Sequence, residues 1–115
     1  MIPSIEPSKE LIAAVLDVKK VFGVSVEEDD TLYIWSTADE QEQNINIHMF
    51  ANMCKVWALT QNYWLDSGIQ VKPKGWQANC GYLDLNSQIA KDFYANTEPA
   101  VIFKAAEWFL EQGKQ

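Results

Sequence analysis

Arginine is absent from this 115-residue chain, and the cationic side chains are nine lysines against sixteen carboxylates, a formal charge of −7 at neutral pH. A field of that sign repels phosphate and anionic lipid, so nucleic acid is an unlikely partner and membrane-surface binding is not expected. Cysteine is scarce. Cys54 and Cys80 make no disulfide framework and read as reduced thiols of a cytoplasmic protein. Histidine is scarcer still: His48 is the only imidazole, so any triad, general base or zinc site must pass through it. Long apolar runs are missing too, the longest being Leu11 to Leu16, far short of a membrane span. No basic leader opens the segment Met1, Ile2, Pro3, Ser4, Ile5, Glu6, which therefore does not read as a secretory signal.

What is present is the composition of a folded domain, 48% hydrophobic and 22% charged, at the length of one domain spanning residues 1–115. Ser8 is placed to cap a helix carrying Leu11, Ile12, Val15, Val18 and Phe22 at helical spacing, with Gly23 as its stop. Val24 and Val26, the acidic turn Glu27, Glu28, Asp29, Asp30, and the β-branched and aromatic stretch Thr31 to Trp35 predict a hairpin. Ser36 to Asn44 has little to bury and is expected to be an exposed loop.

Asn46 caps a second helix expected to reach Asn62, with His48, Asn52, Lys55 and Asn62 in a polar stripe that Leu59 interrupts. Its remaining apolar positions cover more than the usual arc, which predicts a helix central to the fold or partly at an interface. Alternation at Ile69 and Val71, at Trp76, Ala78, Cys80 and Tyr82, and over Ile89 to Tyr94 predicts a three-stranded meander, with Cys80 pointing inward. Its turns fall at Pro73, Lys74 and Gly75 and at Asp84, Asn86 and Ser87. Thr97 or Glu98 then caps a third helix, Pro99 in its first turn, Lys104, Glu107 and Glu111 toward water, and Gly113 at its end. The expected architecture is an α+β fold in the order αββαβββα, an antiparallel sheet of hairpin plus meander with the helices mainly on one face.

Residues 46–58, NIHMFANMCKVWA, and 96–110, NTEPAVIFKAAEWFL, together with the opening Ser8, Lys9, Glu10, Leu11, resemble a family of small uncharacterised proteins of bacterial genomes and prophages. The shared features are a helix with Cys-Lys-x-Trp-Ala and a terminal Thr-Glu-Pro-x-x-Ile-Phe-Lys-Ala-x-x-Trp helix; His48, Met49 and Phe50 depart from the more polar start usual in the family. The resemblance implies a fold unit and a mobile-element origin, and brings no activity with it. The helix, three strands, helix order of the second half also matches double-stranded RNA binding domains. Thr97, Glu98 and Pro99 replace their basic helix start, so that likeness carries topology alone.

Catalytic constellations fail on geometry. Cys54 follows His48 by six residues, which sets their side chains about 120° apart around a helix. One histidine and two cysteines leave zinc short of a fourth ligand. Glu27 to Asp30 lack the alternate spacing and glycine of a calcium loop, and no glycine-rich phosphate loop or nucleophile elbow occurs. Lys72, Lys74 and Trp76 make one small basic and aromatic spot. No catalytic, cofactor or metal residue is therefore assigned. The expected role is a non-enzymatic cytoplasmic interaction or accessory protein with a protein partner, a homodimer through helix two or three being the simplest version; five tryptophans and four tyrosines supply interface anchors. Two alternatives are an acidic inhibitor or nucleic-acid mimic presenting Asp39, Glu40, Glu42 and the Glu27 to Asp30 turn to a basic host protein, and a small-molecule or hydrolytic protein centred on His48.

Overall fold

The computed structural model describes residues 6–36, 42–70, 75–82 and 91–112, with the side chains of Gln70 and Tyr82 left out. It is an α+β fold with three helices and two three-stranded antiparallel sheets in the order αβββαβββα. Chain contacts divide it into two compact units, Met1–Phe50 and Ala51–Gln115.

The first unit opens with α1, Lys9–Leu16, capped as expected by Ser8, whose Oγ accepts the Leu11 N–H at 3.1 Å. The helix ends at Leu16, seven residues before Gly23. Asp17 takes the left-handed conformation at φ 56°, and the Val18 N–H closes onto the Ala13 carbonyl at 3.0 Å. Such a stop costs a non-glycine residue little when it is Asp or Asn. Phe22 and Gly23 belong instead to β1, Val21–Val26, which pairs with β2, Thr31–Ser36. A register slip between Val21 and Gly23 leaves Phe22 as the extra residue of a bulge.

The expected hairpin has a third strand. β3, Glu42–Asn46, pairs with β2 from Trp35↔Glu42 to Thr31↔Asn46, so the part of the expected loop from Glu42 to Asn44 is sheet; residues 37–41 lie outside the described residues. Glu42, Gln43 and Asn44 are poor strand formers alone, and pairing with β2 overrides that preference. Leu32 and Ile34 are fully buried on one face of β2, beside buried Val21, while α1 packs on β1 and contributes buried Leu11 and Ile12.

Asn46 caps α2, Ile47–Thr60, its Oδ1 accepting the His48 and Met49 N–H groups at 2.9 and 3.4 Å. The helix ends two residues earlier than expected, and Asn62 takes φ 64°.

The second unit holds the meander, β4 (Tyr63–Gln70), β5 (Gly75–Tyr82) and β6 (Lys91–Ala95), in that spatial order. β4 begins six residues before the expected Ile69. Val71, Pro73, Lys74, the Asp84 to Ser87 turn, Ile89 and Gly113 lie outside the described residues. α3, Glu98–Gln112, crosses all three strands. Thr97 caps it, its Oγ1 accepting the Ala100 N–H at 3.3 Å, and Pro99 sits in the first turn where no helical donor is lost. Val101, Ile102, Phe103, Ala105, Ala106 and Phe109 are buried. Phe109 stacks on Tyr63 of β4 at 4.3 Å between centroids, and Trp108 meets Phe93 of β6 edge-on at 6.4 Å. Trp108 thus packs helix on sheet.

Candidate functional site

The histidine is exposed, and both cysteines are buried. His48 stands on the outside of α2 with 57% of its side chain exposed, its Nε2 3.5 Å from Asp30 Oδ2, equally exposed. An ion pair this open to water contributes little. Its neighbour in the chain ties more firmly: the Ile47 N–H donates to the Asp30 carbonyl at 2.8 Å, holding the start of α2 on the β1–β2 turn. Asp30 is left-handed at φ 64° to make that turn, which the Glu27 and Asp30 N–H groups close on the Thr31 and Glu27 carbonyls at 3.0 Å each. Asp29 Oδ1 accepts the Thr31 N–H at 3.1 Å. The acidic turn is therefore a hydrogen-bonded hairpin turn.

Cys54 is buried, and burial with Glu107 nearby pushes its thiol well above the ordinary range. Cys80 points inward from β5, as its alternation predicts; burial first, then Asp92, raise its thiol to about 11, against a smaller opposing effect of Lys91. Its Sγ donates to the Lys91 carbonyl at 3.6 Å. Thiols kept protonated are poor nucleophiles and poor metal ligands. Among the described residues, no group of three or more His, Cys, Asp or Glu is placed to hold a metal ion, and no helix is long and apolar enough to cross a membrane. Of the basic and aromatic spot, Trp76 is half-buried on β5 opposite Ile69 and Ala95, and Lys72 and Lys74 lie outside the described residues, as do Asp39 and Glu40. Trp64 Nε1 is buried with no hydrogen-bond partner among the described residues. A single indole donor on a strand does not make a site.

What the structure does present is apolar surface. Phe22, Trp35 and Met49 are exposed in the first unit, and Val56, Leu59, Ile69 and Tyr94 in the second. α3 has none of these, its apolar positions being taken up in packing. On α2, the expected polar stripe holds for exposed His48, Asn52 and for Asn62 beyond the helix end, while Val56 and Leu59 stand among them at 63% and 54% exposure. Leu59 was legible as an interruption of the stripe. Val56 gave no such signal, because a β-branched residue in a helix flanked by Lys55 and Trp57 reads as core.

Charge divides with the chain. Residues 1–50 carry ten of the sixteen carboxylates and three of the nine lysines, the whole −7, whereas residues 51–115 carry six of each. Comparison with family models, with curated proteins and with solved structures finds no match.

Proposed function

We propose that the chain is a non-enzymatic interaction protein whose first partner is a second copy of itself, paired through the outer side of α2. The observation that carries this reading is the exposure of Val56 and Leu59, three residues apart on that helix. Met49, at 61% exposure, precedes Val56 by seven residues, and apolar side chains at spacings of seven and three are those that form a seam when two helices pack. An isologous contact needs one self-complementary patch, and residues 51–115, which carry Val56 and Leu59, are electrically neutral. α3 is the weaker choice of the two helices because none of its large apolar side chains is exposed. A bacterial cytoplasmic setting of prophage origin belongs to the same proposal and rests on the likeness of residues 46–58 and 96–110.

Light scattering of the purified chain across the micromolar range tests it. A mass of two chains is expected, and a mass of one chain at every concentration refutes the pairing.

A second reading, an acidic inhibitor or nucleic-acid mimic acting on a basic protein, is favoured by the concentration of all net charge in residues 1–50. Capture of a basic host protein that is released by salt would support it; capture indifferent to salt would not.

A further inference from the structure

Burial alternates along β2 so that Leu32, Ile34 and Ser36 face inward, leaving Thr31, Tyr33 and Trp35 on the outward face of the first sheet. Register completes that face. Ser25 and Asn44 flank Tyr33, and Gly23 and Glu42 flank Trp35. A Cβ on Gly23 would lie 3.2, 3.8 and 4.0 Å from Cε3, Cζ3 and Cδ2 of Trp35, so the Cε3 edge of the indole borders the glycine. At 42% exposure, the indole is open to water. The missing glycine side chain is what lets that edge come so close.

We infer that this face receives a lysine- or arginine-bearing segment of a partner protein, its cation stacked on Trp35 and paired with the Glu42 carboxylate. The face of an indole attracts a cation through the ring quadrupole, and Trp is the best of the aromatic side chains at it. Directly paired residues on antiparallel strands stand about 5 Å apart at Cβ, which puts the Glu42 carboxylate within reach of a cation over that ring. The −7 of residues 1–50 draws a basic segment to this unit, and Glu42 is the carboxylate paired with Trp35. The same charge repels the phosphates of a nucleic acid, and it repels a second copy of the unit. This inference rests on the reading of the chain as an interaction protein, adds a surface separate from the α2 pairing, and names the chemistry of its occupant.

The test uses the full chain and a short fluorescent peptide of alternating arginine and serine, with a counterpart carrying glutamine in place of arginine. Anisotropy is expected to show binding of the first and not of the second. Trp35→Ala should weaken binding by about tenfold, with Trp35→Phe retaining most of it. Glu42→Gln should weaken binding severalfold, while Glu27→Gln, which removes the same charge from the exposed turn, should change it by no more than about twofold. The Trp35 indole N–H resonance should shift on titration in the wild-type chain. Equal losses from Glu42→Gln and Glu27→Gln, equal binding of the glutamine peptide, or no binding of the arginine peptide would each overturn the inference. The mass measurement on the same sample separates the two claims: a dimer that ignores the peptide sinks the docking face alone, and a monomer that binds it through Trp35 sinks the pairing alone.

Discussion

The Cε3 edge of Trp35 borders Gly23 on the outward face of the first sheet, 3.2 Å from the point a Cβ would occupy. That contact is tighter than carbon atoms tolerate without some adjustment, yet the group that must yield is the half-exposed end of a side chain. Gly23→Ala should therefore change stability by less than about 1 kcal/mol, while displacing the ring. Urea denaturation and the chemical shift of the Trp35 indole check the two halves; a large loss of stability would mean that the ring cannot move.

The start of α2 depends on Asn46, whose Oδ1 takes two otherwise unpaired helix donors, those of His48 and Met49. Asn46→Ala should cost about 1 kcal/mol, and Asn46→Asp should keep most of the stability because it retains the acceptor. Chemical denaturation of the three proteins distinguishes capping from a mere surface change, for which both variants would behave as wild type.

Phe109 joins α3 to the second sheet through its stack on Tyr63 and is 2% exposed. Phe109→Ala leaves a cavity that a helix pinned across three strands cannot close, and should cost about 3 kcal/mol or more. Phe109→Leu, which fills more of the space, should cost less. Equal behaviour of the two in thermal unfolding would show that the ring stack, and not the filled volume, is what matters.

Both thiols are harder to ionise in the folded chain, Cys80 at about 11 and Cys54 higher still, against 9.0 for an unperturbed thiol. The unfolded chain therefore releases these protons first. Their contribution is complete below about pH 9 and is lost as pH rises from there through the folded values. Stability should fall over that alkaline window, and Cys54→Ala together with Cys80→Ala should flatten the fall. A thiol reagent at neutral pH should label neither residue until the chain is unfolded; rapid labelling of native protein would contradict their burial.

The helix starts were legible because capping is local: Ser8, Asn46 and Thr97 each stand beside the donors they satisfy. Much else was set by residues distant in sequence. Val18 and Phe22 continue the helical spacing of α1, but Asp17 turns the chain and β2 draws Val21 to Val26 into a strand. The polar run Glu42, Gln43, Asn44 carries no strand signal, and its pairing with Trp35, Ile34 and Tyr33 is visible only in three dimensions. The same holds for the division of six strands between two sheets. Of the surfaces, the exposure of Leu59 was foreshadowed by its place in a polar stripe, whereas the outward face around Trp35 depends on β3, a strand that the sequence did not announce.

The pairing of two copies through α2 is tested most directly by sedimentation equilibrium of the wild-type chain beside a double variant, Val56→Glu with Leu59→Glu. Both sites are exposed, so the variant should fold with an unchanged circular dichroism spectrum. The wild type should sediment at twice the 13.1 kDa chain mass and the variant at the single mass, because two carboxylates per copy would be forced into the apolar seam. A wild-type chain at 13.1 kDa throughout, or a variant that dimerises as well as the wild type, would contradict it.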